Sequence, residues 1–210
     1  MKKKYQNIIK HYESCLQKHG DTHLGVDWPN ADDVDKRYKV MIDIVKDNDD
    51  TLDNITILDF GCGTAHLLEY IIKNKFTNIE YKGLDISQQF IEVAKKKFPK
   101  NTFYCEDILS SNFILPQFDY ILMNGVFTEK HDLSFDEMWS YFTEVLSAVF
   151  HKCNKGIAFN VMSKIVDWER EDLFHVSQDL LTEFLCNKLS RSYIIKNNYG
   201  LYEYTVYIYK

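Results

Sequence analysis

Hydrophobic residues recur at helical spacing in two segments near the start of the chain, residues 3–18 and 31–46. Each segment is predicted to form an amphipathic helix, because apolar side chains three and four residues apart share one helix face. The stretch between them, residues 19–30, contains two glycines and a proline and is predicted to be a loop. Because both helices precede the first strand, residues 1–50 are expected to form a helical cap on a core of residues 51–210, within one domain.

From Asn54 onward, short apolar runs alternate with segments of helical periodicity. Strands that alternate with helices predict a parallel sheet that is covered on both faces. The last two runs leave no room for a helix between them, so they must pair antiparallel as a hairpin. We therefore predict an α/β fold with a doubly wound, mostly parallel sheet of seven strands that ends in this hairpin. The predicted strands are residues 55–58, 80–84, 102–105, 118–123, 156–161, 192–196 and 202–209.

Hydroxyl side chains mark two of the predicted helix starts between these strands. Thr64 and Ser87 each precede a segment of helical periodicity, and either hydroxyl can accept a hydrogen bond from a free N–H group of the first turn. Two further helices are predicted over residues 135–153 and near residues 179–189.

Composition and charge restrict the partners and the location. The chain has 25 Lys and Arg against 31 Asp and Glu, a net charge of -6, so attraction to a nucleic-acid backbone is not expected. The five cysteines lie far apart without a Cys-x-x-Cys pair, which favours reduced thiols. No apolar stretch approaches membrane-spanning length, and the first residues lack a signal-peptide pattern. We therefore expect a cytoplasmic protein without a membrane partner.

The strongest chemical signal is the turn after the first predicted strand, which runs from Asp59 to Ala65. Ligands of doubly wound sheets bind beyond the carboxyl ends of the strands. Gly61 and Gly63 allow a tight turn and a close approach of the backbone to a ligand, and the next helix presents free N–H groups. A dinucleotide-binding turn would place a third glycine at position 66, where this chain has His66, so a nicotinamide-dependent oxidoreductase is disfavoured.

Four segments, each at the end of a predicted strand, resemble the motifs of class I S-adenosylmethionine-dependent methyltransferases in the order usual for that family. They are residues 57–64, 83–87, 105–109 and 118–125. The first segment departs mildly from the family pattern, because Ala65 stands where a third glycine is usual. The resemblance implies a Rossmann-like methyltransferase fold, S-adenosylmethionine as cofactor, S-adenosylhomocysteine as product, and methyl transfer as the reaction.

The resemblance also implies a role for each strand end. Asp85 is expected to take both ribose hydroxyls, and Asp59 to reach the methionine amino group. Asp107 is expected to contact the adenine amino group while Ile108 packs on the ring, although a simple loop acid is an alternative for Asp107. Arg37, from the second helix, is the candidate partner of the methionine carboxylate. The predicted cofactor site comprises Arg37, Asp59, Gly61, Cys62, Gly63, Thr64, Asp85, Ile86, Asp107, Ile108, Asn124 and Gly125.

Residues after the fourth strand are expected to face the acceptor. The candidate catalytic residues are His131, which could remove a hydroxyl proton, and Asn124, which the resemblance places opposite the reactive methyl. An exposed polar loop is the alternative for His131 and Lys130, and core packing is the alternative for Trp28. The predicted acceptor-binding residues are Trp28, Lys130, Asn160 and Tyr199. No metal is expected, because Asn124 and Asn160 stand where a metal-dependent catechol-type site would have aspartates.

The whole-chain pattern is also similar to small methyltransferases of bacterial surface-polysaccharide gene clusters, on residues 25–28, 125–127, 155–160 and 189–191. This similarity implies a sugar, a sugar phosphate or a phosphorylated amino alcohol as the acceptor, methylated on oxygen or nitrogen by direct in-line transfer. Three other functions remain open: a non-catalytic S-adenosylmethionine-binding scaffold, an RNA methyltransferase and, less favoured, an NAD-dependent oxidoreductase. The sequence predicts no particular oligomeric state.

Overall fold

The computed structural model describes residues 5–48, 54–109 and 113–210. Its strands are β1 (Ile55–Phe60), β2 (Ile79–Asp85), β3 (Thr102–Cys105), β4 (Phe118–Phe127), β5 (Cys153–Ser163), β6 (His175–Val176), β7 (Tyr193–Lys196) and β8 (Glu203–Tyr209). Seven of them form one sheet in the order β3-β2-β1-β4-β5-β8-β7, and the two-residue β6 pairs with β5. The predicted seven-stranded sheet is confirmed, whereas β6 was not predicted because two residues carry no periodicity.

The pairing directions follow the predicted topology. β1 is parallel to β2 and β4, β2 is parallel to β3, and β4 is parallel to β5. β8 runs antiparallel to both β5 and β7, so the predicted terminal hairpin is confirmed. The chain moves outward from β1 to β3 and then returns to β4 on the other side of β1. The strand order therefore reverses at β1 and β4, where a doubly wound sheet opens a crevice for a ligand.

The helices are α1 (Gln6–His19), α2 (Val34–Asn48), α3 (His66–Lys73), α4 (Gln88–Lys97), α5 (Phe135–Phe150) and α6 (Gln178–Lys188). The predicted helices agree with these bounds to within a few residues. The first two predicted residues of α1, residues 3 and 4, and the predicted boundary at residues 50 and 51 lie outside the described residues. Among the described residues, no helix combines the length and the apolar character that crossing a membrane requires.

One of the two predicted helix caps is confirmed and the other is wrong. The Ser87 hydroxyl accepts a hydrogen bond from the Phe90 N–H group at 3.5 Å. Thr64 does not cap α3, because the turn extends one residue further and Ala65 occupies the cap position in the left-handed region, with φ at 67°. The Thr64 hydroxyl instead lies 3.1 Å from Nε2 of His66.

Helices cover both faces of the sheet, as the alternating pattern predicted. α5 and α6 pack on one face, where Val145, Leu146 and Leu181 are fully buried. α2, α3 and α4 pack on the other face, where Met41 and Ile91 are fully buried. Burial of aliphatic side chains of this size stabilises the fold by about 1.5–3 kcal/mol each, so the two layers fix the sheet on which the functional residues lie.

A buried polar network joins α2 to the sheet. Nε of Arg37 donates to both carboxylate oxygens of Glu203 at 3.1 and 3.0 Å, and Nδ2 of Asn160 donates to Oε1 of Glu203 at 3.0 Å. The Glu203 side chain is only 2% exposed, against 17% for Arg37. A carboxylate buried to this degree needs an opposite charge and hydrogen-bond donors. Arg37 supplies the charge, and Arg37 and Asn160 supply the donors.

We expect the Glu203→Ala substitution to lower the free energy of unfolding by about 3–5 kcal/mol, since it leaves the Arg37 guanidinium without its buried partner. Urea denaturation followed by circular dichroism measures this loss. Glu169→Ala is the matched control, because Glu169 pairs with Lys164 on the surface at 2.7 Å with 43% of its side chain exposed. The control should cost no more than about 1 kcal/mol. Equal losses for the two substitutions would contradict the buried pair.

Candidate active site

A pocket lies at the carboxyl ends of β1, β2 and β4, where the strand order reverses. Its floor is formed by the turn after β1 and by the first residues after β2. Its cover is formed by α1 and by the loop between α1 and α2. The lining residues from the predicted sites are Trp28, Asp59, Gly61, Cys62, Gly63, Asp85, Ile86, Asp107, Ile108, Asn124 and Gly125. Most of the predicted cofactor site therefore converges on one pocket.

The turn after β1 needs glycine at its first position. Gly61 has φ at 73°, and a Cβ atom added there would lie 2.6 Å from Cγ2 of Val126. The N–H groups of Gly61 and Cys62 both donate to the Leu84 carbonyl, at 2.7 and 3.0 Å. These bonds hold the turn against the end of β2, so its backbone forms one wall of the pocket.

Asp85 links the turn after β1 to the loop after β2. Its Oδ2 accepts from the Gly63 N–H group at 2.9 Å, and its Oδ1 accepts from the Ser87 N–H group at 2.8 Å. Burial raises the pKa of this carboxyl, while the hydrogen bonds from Ser87 and Gly63 lower it in part. Each carboxylate oxygen has further lone pairs, so Asp85 can hold the two loops and still accept hydrogen bonds from a ligand.

Asp59 is a buried acid in the pocket lining, with only 3% of its surface exposed. The Tyr81 hydroxyl donates to its Oδ2 at 2.7 Å. Burial is the largest effect and raises the pKa of Asp59 to about 7, against the smaller opposing effect of the Tyr81 hydrogen bond. Asp59 therefore changes its charge near neutral pH, and a cationic ligand group would favour the ionised form.

Asp107 connects the pocket to the helix that covers it. The Tyr5 hydroxyl donates to Oδ2 of Asp107 at 2.7 Å, and the Leu109 N–H group donates to Oδ1 at 3.0 Å. The Tyr5 ring in turn stacks on the ring of Tyr141 with centroids 4.6 Å apart. The Asp107 carboxylate in the pocket wall is therefore held by the residue that precedes α1 and by its own loop, and that Tyr5 side chain is in turn packed on α5.

α1 lies over the pocket and contributes Ile8, Ile9 and Tyr12 to its lining. The Ser87 hydroxyl donates to the Glu13 carboxylate at 2.6 Å, which fastens the middle of α1 to the start of α4. The sequence predicted a helical cap on the core, but these α1 side chains and Tyr141 were not among the predicted site residues. Their only sequence signal is apolar helical spacing, which equally indicates core packing.

The end of β4 presents an amide to the pocket. Asn124 lines the pocket, and both polar atoms of its side chain are buried without a hydrogen-bond partner among the described residues. The next residue, Gly125, has φ at 77°, and a Cβ added there would lie 3.3 Å from the Trp28 ring. Because an unpaired buried amide is costly, Asn124 is suited to bind a polar group of a ligand.

Arg37 and Asn160 lie in the buried network on Glu203 and outside the pocket lining. The Arg37 guanidinium is 5.1 Å from the centre of the Trp28 ring, so it supports a residue that does line the pocket. Oδ1 of Asn160 accepts from the Gly125 N–H group at 2.7 Å, which fixes the bend after Asn124. In this structure both side chains therefore act on the pocket through its neighbours.

Thr64, Lys130, His131 and Tyr199 also lie outside the pocket lining. Nζ of Lys130 donates to the Leu133 carbonyl at 3.1 Å, and the Tyr199 hydroxyl lies 3.0 Å from Oγ1 of Thr205. Nε2 of His131 lies 2.7 Å from Oε2 of Glu129, and this contact is the largest reason why the pKa of His131 is raised. Tyr199 lies in the turn between β7 and β8, and β5 separates β8 from β4 in the sheet.

Comparison with known protein sequences finds similarity to methyltransferases. Residues 58–149 match the model of a methyltransferase domain family. A candidate methyltransferase of Mycobacterium tuberculosis is 27% identical over 161 residues, which cover 75% of this chain and 95% of that protein. Malonyl-[acyl-carrier protein] O-methyltransferase of Priestia megaterium is 37% identical over 75 residues, 35% of this chain and 27% of that protein.

Solved structures share the fold over the whole chain. Magnesium protoporphyrin IX methyltransferase of Synechocystis PCC 6803, solved with bound S-adenosylmethionine, aligns with a TM-score of 0.66 at 14% identity and covers 100% of this chain and 98% of its own. A plantazolicin methyltransferase solved with S-adenosylhomocysteine aligns with a TM-score of 0.61 at 17% identity, over 100% of this chain and 99% of its own. The domain match and the two relatives support a methyltransferase, and the solved methyltransferases share the Rossmann-like fold of this chain.

Proposed function

We propose that this methyltransferase acts in the cytoplasm on a small polar acceptor, a sugar, a sugar phosphate or a phosphorylated amino alcohol, as a step of surface-polysaccharide biosynthesis. The observation that carries the proposal is the covered pocket, in which the Asp59, Asp85 and Asp107 carboxylates and the unpaired Asn124 amide converge. A helix and an aromatic side chain close over the pocket, which favours an acceptor of small size. The net charge of -6 disfavours RNA as the acceptor.

The three carboxylates suit the three polar parts of S-adenosylmethionine, which are the ribose hydroxyls, the adenine amino group and the methionine ammonium group. We assign Asp85 to the ribose hydroxyls, since both its oxygens already accept N–H groups of the pocket wall and retain free lone pairs. Asp107 is assigned to the adenine amino group, with Ile86 and Ile108 against the ring. Asp59, a buried carboxyl in the pocket lining, is assigned to the methionine ammonium group.

Methyl transfer needs alignment more than chemical assistance. The acceptor oxygen or nitrogen forms a bond to the methyl carbon as the bond to sulfur breaks, and neutral S-adenosylhomocysteine leaves. The protein must therefore place the acceptor in line and exclude water. We assign Asn124 and Trp28 to acceptor orientation, because both line the pocket and the Trp28 ring lies against Gly125, the residue after Asn124 on β4. The acceptor proton is assigned to His131, just beyond that strand.

A labelled-methyl assay tests the proposed function. Radiolabelled S-adenosylmethionine is incubated with the chain and with panels of phosphorylated amines, sugars and sugar nucleotides, and RNA serves as a separate arm. Labelled product from one of the small polar panels is the expected result. Tight S-adenosylhomocysteine binding without product from any arm would favour the non-catalytic scaffold, and labelled RNA alone would overturn the small acceptor.

The pKa of Asp59, at about 7, predicts how cofactor affinity depends on pH. The empty site holds this carboxyl largely protonated below pH 7, so binding a methionine ammonium group there requires a proton to leave. We expect the affinity for S-adenosylhomocysteine to fall by up to about tenfold per pH unit as the pH drops from 7 to 5.5. Titration calorimetry measures it, and Asp59→Asn should bind weakly with little pH dependence. If the affinity of Asp59→Asn depended on pH as steeply as that of the unmodified chain, Asp59 would not be the partner of the ammonium group.

We expect Asp85→Asn to weaken S-adenosylhomocysteine binding by about 10–100-fold, because the uncharged amide is a poorer acceptor for two hydroxyls. Glu80→Gln is the control, since Glu80 lies near the opposite end of the same strand with 58% of its side chain exposed. Calorimetry on both variants, with thermal unfolding to confirm the fold, gives the comparison. A loss shared equally by the control would mean that the ribose assignment is wrong.

If His131 accepts the acceptor proton, His131→Ala should lower kcat by about 100-fold or more while S-adenosylhomocysteine binding stays within a few-fold. His151→Ala is the control, because His151 is exposed at the far end of α5. Steady-state turnover with the acceptor found above is the measurement. Turnover of the His131 variant within a few-fold of the unmodified chain would exclude the base role.

A further inference from the structure

Three potential metal ligands meet beside the cofactor pocket, outside its lining. They are His11 on α1 and Glu129 and His131 in the loop after β4. One ligand atom from each residue lies within 4.8 Å of the other two. We propose that His11, Glu129 and His131 bind a divalent transition-metal ion, with Zn²⁺ as the best match, and that this ion fastens α1 over the pocket.

The distances suit one ion with small side-chain movements. Oε2 of Glu129 lies 2.7 Å from Nε2 of His131 and 4.0 Å from Nε2 of His11. Ligand atoms at about 2.0–2.1 Å from a tetrahedral zinc ion are about 3.3 Å from one another. The two observed separations lie on either side of that value, so shifts below about 1 Å would bring all three atoms into coordination.

The ligand atoms of Glu129 and His131 are buried, which favours a bound ion and is not typical of surface contacts. Oε2 of Glu129 and Nε2 of His131 are both buried and form an ion pair with each other at 2.7 Å, and neither has a hydrogen bond of normal geometry among the described residues. The side chains of Glu129 and His131 are only 12% and 18% exposed. A divalent cation bound between them would take the place of the proton that otherwise neutralises the Glu129 carboxylate in this ion pair.

The two imidazole rings also favour a shared cation. The His11 and His131 rings lie with centroids 4.1 Å apart. Two protonated imidazoles at this distance would repel each other, whereas neutral imidazoles can both bind one metal ion. Two neutral histidines with one carboxylate form a ligand set that occurs at zinc sites with an open fourth position.

A second set around His11 competes with this assignment. Oδ2 of Asp27 lies 2.6 Å from Nε2 of His11, and Sγ of Cys15 lies 3.5 Å from the same nitrogen. His11 belongs to both sets, but the ligand atoms of Glu129 and His131 are buried, whereas 40% of the Asp27 side chain is exposed. Glu129→Gln and His131→Ala therefore distinguish the proposed set from the alternative, which Asp27→Asn and Cys15→Ser would affect.

The position of the ion gives it a consequence for the cofactor site. His11 lies one residue before Tyr12, which lines the pocket, and Glu129 follows β4, which carries Asn124. An ion held by both segments would hold α1 closed over a bound ligand. The base role assigned to His131 therefore belongs to the metal-free chain, because an ion on Nε2 would prevent that nitrogen from accepting a proton.

The test is a metal titration of the full chain after chelator treatment, without methyl donor or acceptor, so its outcome does not depend on the proposed acceptor. Cobalt(II) reports coordination through its visible absorption, and calorimetry with Zn²⁺ gives the stoichiometry. We expect one ion per chain, and at least about tenfold weaker binding in His131→Ala and Glu129→Gln. His151→Ala should bind like the unmodified chain. Glu129→Gln keeps the side-chain shape, and circular dichroism checks the fold of each variant.

Absence of stoichiometric binding would overturn the site, and so would unchanged affinity in both Glu129→Gln and His131→Ala. Loss confined to Cys15→Ser and Asp27→Asn would assign the ion to the alternative set. The fastening role has its own readout, since saturating Zn²⁺ should slow S-adenosylhomocysteine release by about threefold or more in the unmodified chain and not in His131→Ala. Equal release rates with and without Zn²⁺ would refute the fastening role.

Discussion

The hydrogen bond from the Gly63 N–H group to the Asp85 carboxylate joins the turn after β1 to the end of β2, and the pocket depends on this link. The same carboxylate also accepts from Ser87, so one side chain holds the loops that lead into α3 and α4. The bond can form because β1 and β2 are parallel and in register up to Phe60 and Leu84. A charged acceptor in a partly buried place makes such bonds strong.

Polar contacts help to hold the cover of the pocket. Tyr5 donates to Asp107, and Ser87 donates to Glu13, so α1 is tied to the loops after β3 and β2. Contacts of this kind can be broken and re-formed at modest cost, because water replaces the lost partners. A cover fastened in this way suits a pocket that must admit a cofactor and an acceptor and release two products.

The part of the pocket assigned to the acceptor is supported by residues that do not line it but contact the residues that do. Asn160 orients Gly125, and Arg37 lies over Trp28, while Glu203 binds both Asn160 and Arg37. The bend at Gly125 places Asn124 in the pocket wall with its amide unpaired among the described residues. The buried network thus supports the end of β4 and the aromatic cover from behind the pocket.

The sequence by itself determined the element order, the terminal hairpin and the strand ends that carry Asp59, Asp85 and Asp107, because periodicity and glycine-rich turns are local signals. It could not decide which partner each polar side chain would take. Arg37 and Asn160 were assigned to the ligands, yet they meet Glu203, which lies 166 and 43 positions away in the chain. The grouping of His11 with Glu129 and His131 likewise needed α1 to lie beside the loop after β4. Such contacts between distant segments depend on how the helices pack on the sheet, and only the tertiary structure decides that packing.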